Sequence, residues 1–274
     1  MDFDELVANG KIKRIFRAKN KITIPDIVSH ITQRAAGKEL LFVEESDYLF
    51  MLAQLKEIAK KRSLDIYPFC LMPNHIHLLA SPREDELQEP MRDLFSRYAM
   101  HFNRKYMRKG HLFGGPYRQA VCLDDAYLLA ASLYIHMNPV RAGLVEDPRD
   151  FRWSSVRLFC DQDAPTSFLK SGFILGLLSN DPKISKEVYL EMLVRSVKIE
   201  IGDSLEQGDS IERFKKTLCR LFPSIFSDVG NRKHIAERTG ISLLDEEEVE
   251  KRFAADALPE RVRGKRFLIQ QLIA

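Results

Sequence analysis

Two histidines separated by one residue, His75 and His77, are the side chains in this chain best suited to chemistry. Successive side chains of a β-strand point to opposite faces, so in a strand these imidazoles share one face while Ile76 occupies the other. Adjacent imidazoles fill a core poorly, because each ring carries nitrogens that need partners. The pattern therefore predicts half of a metal site, in a strand that runs from about Asn74 to Ala80.

A later helix could complete that site. Apolar residues at helical spacing predict a helix from Ala126 to His136 or slightly beyond, ended or bent at Asn138-Pro139. Tyr134 and Asn138 lie four residues apart and would share a helix face. A carboxamide oxygen can ligate a hard divalent cation such as Mg²⁺ or Mn²⁺, and a phenol one turn away can attack a phosphorus atom beside it.

Several alternatives remain open for this helix and its surroundings. Asn138 could simply be the last helical residue before Pro139, and Tyr127 or Tyr117 could be the nucleophile in place of Tyr134. His136, two residues from Tyr134, points to another face and is expected at the surface or in packing.

The surrounding patterns predict the fold class. A strand within Ile22–Gln33, a helix over Asp47–Arg62, the histidine strand, a helix over Met91–Tyr106 and a strand within Tyr117–Leu123 precede the Tyr134 helix. Short antiparallel strands with helices packed on them predict an α+β ferredoxin-like sandwich over residues 1–160. After a linker, residues 168–274 show helical patterns, which predict an all-helical accessory domain with a faint helix-turn-helix pattern at Arg232–Ile241.

Composition limits the class of protein. The chain has 274 residues, 45% hydrophobic and 30% charged, which is typical of soluble domains with a real core. No run approaches the roughly 18–20 apolar residues that a membrane span needs, and the four cysteines lack paired spacing, so we expect a cytoplasmic protein.

Basic residues indicate a nucleic-acid partner, although a solvated surface would explain the same clusters. Arg118 and Arg141 could contact phosphates or be ordinary surface arginines. The predicted DNA-binding residues are Lys11, Lys13, Arg14, Arg17, Arg104, Lys105, Arg118 and Arg141.

Three segments together resemble one family. They are Leu-Met-Pro-Asn-His-Ile-His-Leu-Leu at 71–79, Tyr-Ile-His-Met-Asn-Pro-Val-Arg-Ala-Gly at 134–143 and Trp-Ser-Ser at 153–155, with weaker similarity at His30–Arg34 and Tyr117-Arg118. In these segments the chain resembles the HUH-type single-tyrosine transposases, and within them the REP-associated tyrosine transposases of bacteria. The segments lie in order across residues 20–157, so the resemblance leaves the rest of the chain unexplained.

The resemblance implies a set of roles. His75, His77 and Asn138 would hold the divalent metal ion, and Tyr134 would attack a single-stranded DNA phosphodiester to give a 5′-phosphotyrosine and a free 3′-hydroxyl. The implied partner is single-stranded or hairpin DNA, such as a REP-like palindrome, in the nucleoid of a bacterial cell. A homodimer, with Tyr134 acting in cis or in trans, is left open. Two alternatives stay open: a nucleic-acid-binding relative that does not cut, and a metal phosphoesterase that activates water.

Overall fold

The stretch that carries the two histidines folds as a β-hairpin in the computed structural model. Strand β3 (Leu64–Met72) pairs antiparallel with β4 (His75–Pro82), and Met72 lies opposite His75. The sequence predicted the β4 strand, but it did not separate out β3 as its partner. Pro68 lies where the register shifts between Ile66 and Phe69, an irregularity that accommodates a residue without a backbone N–H.

The structure describes residues 15–16, 21, 25–37, 39–84, 87–122, 124–197, 199, 210–232 and 235. The end of the predicted helical domain, residues 236–274, lies outside these residues, as does most of the predicted helix-turn-helix pattern at Arg232–Ile241. Within the described ranges, no helix combines the length and apolar character needed to cross a membrane.

The remaining elements have the following bounds. The other strands are β1 (Ile15–Phe16), β2 (Ser29–Arg34) and β5 (Arg118–Val121). The first three helices are α1 (Glu45–Lys61), α2 (Gln88–Lys105) and α3 (Asp125–Arg141). A 3₁₀ turn at Pro148–Asp150 precedes α4 (Val156–Cys160), α5 (Ser171–Leu175), α6 (Pro182–Ser196), α7 (Ser210–Leu221) and α8 (Pro223–Arg232).

The strands form one antiparallel sheet in the order β1-β5-β2-β4-β3. Chain order β2-α1-β3-β4-α2-β5 with this spatial order is the ferredoxin-like arrangement. The predicted α+β ferredoxin-like fold is therefore confirmed, with helical structure in the C-terminal part. Two details differ from the prediction: strand β2 begins only at Ser29, and β1 was not predicted.

The two faces of the sheet bury different helices. Ile31, Leu71 and Ile76 point to the face covered by α1 and α2. Cys70 and Leu79 point to the other face, where they share a core with α3. Because side chains alternate along a strand, His75 and His77 belong to the α3 face and Ile76 to the opposite one.

Helix α3 is buried on all sides. Every residue from Tyr127 to Pro139 is buried, which is typical of a helix enclosed between a sheet and further helices. Tyr189 on α6 and Phe214 on α7 belong to the same hydrophobic core as α3. The division into two domains stays a prediction, but the later helices do pack directly on the helix that carries Tyr134.

His136 lies inside this core rather than at the surface, so the packing alternative of the prediction is the one observed. Its Nδ1 lies 2.8 Å from the Tyr189 hydroxyl oxygen, and its Nε2 lies 2.9 Å from Ser155 Oγ. Ser155 Oγ in turn accepts a hydrogen bond from the backbone N–H of Phe69 on β3. His136 therefore connects α3 to both α6 and the sheet, and burial lowers its pKa to about 3.

The lowered pKa of His136 predicts acid-sensitive stability. The unfolded chain binds a proton at an ordinary histidine pKa near 6.5, while the folded chain does not until pH falls to about 3. The contribution to the free energy of unfolding is thus complete above pH 6.5 and is lost as pH falls toward 3. Urea unfolding of the His136→Gln variant between pH 6 and 5 should show a slope shallower by up to about 1.4 kcal/mol per pH unit.

The slope, rather than the absolute stability, is the readout for His136. A substitution in the core changes stability at every pH, but removal of a titrating group changes its pH dependence. An unchanged slope in His136→Gln would contradict the expected proton uptake.

Candidate functional site

The two imidazoles of the H-x-H pattern lie edge to face on β4. Their ring centroids are 4.8 Å apart, with an interplanar angle of 86°. Both side chains are buried, at 6% exposure for His75 and 1% for His77. The predicted common face is therefore observed.

In each imidazole, Nδ1 lies at hydrogen-bond distance from a partner and Nε2 does not. His75 Nδ1 lies 2.6 Å from Asn74 Oδ1, and His77 Nδ1 lies 2.9 Å from His30 Nε2. The Nε2 atoms of His75 and His77 are buried and have no hydrogen-bond partner among the described residues. A buried polar atom without a partner is costly, and metal coordination is a common way for an imidazole nitrogen to be satisfied.

Burial keeps these rings neutral. It lowers the pKa of His30 and of His75 to about 4, with the charge of Arg34 adding to the effect on His75. The pKa of His77 lies well below its ordinary value, because of burial first and the neighbouring rings and Arg141 second. A neutral imidazole keeps the lone pair that a metal ion requires.

Tyr134 faces this cluster from α3. Its ring centroid is 6.1 Å from that of His77 and 6.5 Å from that of His30. The Arg141 guanidinium carbon lies 4.7 Å from the centre of the Tyr134 ring, and Phe214 of α7 meets the ring edge to face at 6.0 Å. Tyr134 is only 3% exposed, so Phe214 and its neighbours largely cover it.

Asn138 lies one turn beyond Tyr134 because α3 continues through Pro139 to Arg141. Pro139 has no N–H to donate to the carbonyl of Ile135. The Asn138 amide group donates instead to the carbonyl of Tyr134 at 2.9 Å and lies 3.5 Å from the carbonyl of Ile135. Its nitrogen is thus occupied by the backbone, which leaves the oxygen as the atom suited to a cation.

The donor set fits a divalent ion. Two neutral imidazoles with unpartnered Nε2 atoms and one carboxamide oxygen are ligands that Mg²⁺ or Mn²⁺ accepts. Across the described residues, no group of three or more His, Cys, Asp or Glu side chains is arranged to hold a metal. A site here therefore depends on the amide of Asn138 or on oxygens of a substrate for its further ligands.

The predicted DNA-binding residues fall into three groups. Lys11, Lys13, Arg14 and Arg17 lie outside the described residues. Arg104 and Lys105 lie on α2, across the sheet from the histidines, and Lys105 forms ion pairs with Asp47 at 2.7 Å and Glu44 at 3.1 Å. Arg118 and Arg141 lie at the histidine face, so these two remain the best placed for phosphate contacts.

A cleft beside His75 was not predicted from the sequence. It has a volume of about 400 Å³, and its walls include Gln33, Arg34, Gly114 and Arg118. A Cβ on Gly114 would approach the carbonyl oxygen of Ala35 to 3.3 Å, so a side chain there would crowd this wall. The two arginines give a cleft next to the candidate metal site a positive charge that suits a phosphate.

His30 and Phe214 are the other contributors that the sequence did not reveal. His30 belongs to the segment His30–Arg34, which carries weak family similarity but was given no role. In the sequence, His30 and Thr32 are two residues apart and would share one face of a strand. This spacing alone did not predict a contact with His77, because that contact depends on the pairing of β2 with β4.

Comparison with known protein families gives a match over the part of the chain that contains this site. Residues 23–138 match the sequence profile of the family described as Transposase IS200 like. Over these residues the chain is similar to the IS200-like transposases, and the matched region includes His75, His77, Tyr134 and Asn138.

The chain was also compared with curated proteins and with solved structures. No curated protein matches the chain. Among solved structures, a REP-associated tyrosine transposase bound to a REP hairpin is similar, with 13% identity, a TM-score of 0.47, and coverage of 57% of this chain and 94% of that chain.

Proposed function

We propose that this protein cleaves and rejoins single-stranded DNA by metal-dependent transesterification, through a 5′-phosphotyrosine at Tyr134. The proposal is carried by two buried imidazoles whose Nε2 atoms lack a partner among the described residues, together with a tyrosine ring whose centroid lies 6.1 Å from that of His77. Hairpin DNA of the REP type is the proposed substrate. The family match over residues 23–138 supports the transposase class.

The reaction forms one bond and breaks another at the same phosphorus. Tyr134 Oη attacks the scissile phosphate, the bond from phosphorus to O3′ breaks, and the 3′-oxygen leaves and becomes a hydroxyl by taking a proton. The covalent intermediate keeps the energy of the phosphodiester, so the reverse attack by a 3′-hydroxyl joins strands without ATP. His75, His77 and Asn138 would hold a divalent ion, which supplies positive charge to the phosphate oxygens.

The chain's own residues position the nucleophile and the phosphate. Arg141, stacked on the Tyr134 ring, places a positive charge where the phenol loses its proton and the phosphate approaches. Arg118, in the cleft beside His75, suits an adjoining phosphate. Tyr134 meets His77 within a single chain, which favours action in cis, whether or not the protein is a dimer.

One observation favours a second candidate. Tyr134 is 3% exposed and covered in part by Phe214, as would suit a relative that binds folded nucleic acid without cutting it. In that case the histidine face would still bind DNA, but no covalent product would form.

A labelled hairpin oligonucleotide with a single-stranded flank tests the two candidates. With Mg²⁺ or Mn²⁺, transesterification at Tyr134 should leave the 3′-labelled part of the DNA attached to the protein in a denaturing gel. The 5′-labelled part should be released with a free 3′-hydroxyl. Binding without adduct or cleavage, over a panel of palindromes taken from around the gene, would support the non-cutting candidate instead.

A further inference from the structure

His30 contacts the candidate metal site from the neighbouring strand. Strand β2 pairs with β4 so that Thr32 lies opposite His77, and His30 lies diagonally across from His77 on the same face. The His30 and His77 rings stack with centroids 5.1 Å apart and an interplanar angle of 13°. His30 is 8% exposed, so water does not readily replace this contact.

The proton shared by His30 and His77 can belong to either of two nitrogen atoms. His30 Nε2 and His77 Nδ1 are 2.9 Å apart, which is a hydrogen-bond distance, so one proton lies between the two nitrogens. If it belongs to His30, then His77 carries its own proton on Nε2, a buried N–H without a partner. If it belongs to His77 Nδ1, then His77 Nε2 carries a lone pair instead.

The tautomer with the proton on His77 Nδ1 explains why the buried Nε2 of His77 has no hydrogen-bond partner among the described residues. A lone pair in that position is available to a cation, whereas an N–H there would be both unsatisfied and unable to ligate. The same arrangement holds at His75, where an Nδ1–H can donate to Asn74 Oδ1 at 2.6 Å and leave Nε2 unprotonated. Ligating histidines are commonly oriented by such a bond at the other nitrogen.

We propose that His30 is a positioning residue that accepts the Nδ1–H of His77 and so directs the Nε2 lone pair of His77 toward a divalent cation. This inference rests on the proposed function. His30 here takes the place that a carboxylate or a carbonyl oxygen takes at many metal sites. Thr32 Oγ1, 3.4 Å from His30 Nε2 and 3.5 Å from His77 Nδ1, borders the contact and limits ring rotation.

Metal affinity measured by calorimetry with Mn²⁺ tests the role of His30. In His30→Leu the acceptor is lost, and affinity should fall about 10–100-fold, the usual effect of removing an orienting partner. In His30→Gln the carboxamide oxygen can still accept the Nδ1–H, so most of the affinity should return. His101→Leu is the matched control, because His101 Nε2 is likewise buried without a partner in the described structure, but His101 lies on α2.

Nitrogen-15 NMR of the metal-free protein reads the tautomer directly. His77 should carry its proton on Nδ1 in the wild type and in His30→Gln, and should shift toward the Nε2–H form in His30→Leu. A wild-type His77 protonated on Nε2 would overturn the inference. So would a His30→Leu variant that is folded and binds Mn²⁺ as tightly as the wild type.

The two measurements separate this inference from the proposed function. If the wild type binds no Mn²⁺, the metal-dependent function fails, while the tautomer measurement still decides whether His30 accepts the proton. If the wild type binds Mn²⁺ and His30→Leu is unaffected, only the role of His30 fails. Should His30→Leu not fold, the wild-type tautomer and the His30→Gln affinity still decide the question.

Discussion

Replacement of Tyr134 by phenylalanine should abolish the covalent protein–DNA adduct and reduce strand cleavage by about 10³-fold or more, the scale on which loss of a nucleophile is felt. The change removes only the hydroxyl, and the ring keeps its contacts with His77, Phe214 and Arg141. The fold should therefore survive. The measurement is a denaturing gel with 3′-labelled hairpin DNA, together with mass spectrometry of the adduct formed by the wild type.

Tyr117→Phe and Tyr127→Phe are matched controls for Tyr134→Phe. Tyr117 Oη is buried and has no hydrogen-bond partner among the described residues, so its removal should cost little. Tyr127 is buried in α3 two turns before Tyr134. Adduct formation should persist in both variants. Cleavage that survives in Tyr134→Phe without any adduct would indicate a phosphoesterase that activates water. An adduct mapped to Tyr117 or Tyr127 would identify that tyrosine as the nucleophile in place of Tyr134.

Replacement of His75 or His77 by alanine should remove divalent-metal binding. Each substitution deletes one of the two unpartnered Nε2 atoms, and a direct ligand should matter more than an orienting neighbour, whose loss costs about 10–100-fold. Added Mn²⁺ should raise the melting temperature of the wild type by mass action and leave that of each variant unchanged. Cleavage of DNA should be lost in parallel.

His101→Ala is the control for these ligand substitutions. His101 also has a buried nitrogen without a partner in the described part of the chain, but its ring stacks on Phe50 with centroids 3.7 Å apart, on the other side of the sheet. It should keep both the metal response and the activity. If His75→Ala and His77→Ala bind Mn²⁺ as the wild type does, the imidazole pair is not the metal site.

Local sequence patterns were sufficient to predict how much of the candidate site is arranged. The alternation of side chains along a strand put His75 and His77 on one face, and the helical repeat put Tyr134 and Asn138 one turn apart. The order of strands and helices was enough for the ferredoxin-like fold. Local patterns did not reveal that residues 64–72 form a separate strand, because an apolar run interrupted by Pro68 and Pro73 does not mark where a hairpin turns.

Contacts between segments far apart in the chain could not be predicted from local sequence patterns. Lys105 looked like part of a basic cluster, yet it forms an ion pair with the buried Asp47, a partner 58 residues away. His136 could not be assigned to the core without Tyr189, and its environment depends on a helix beyond the region of family similarity.

The sequence by itself determined which chemical groups share a face, because that depends on the repeat of one strand and one helix. Only the tertiary structure decided that α3 covers the face of the sheet that carries the histidines, that His30 lies against His77, and that Phe214 covers Tyr134. These relations depend on strand pairing and on the packing of a common core. The physical reason is that burial and proton sharing arise between segments far apart in the chain, whereas periodicity describes one segment at a time.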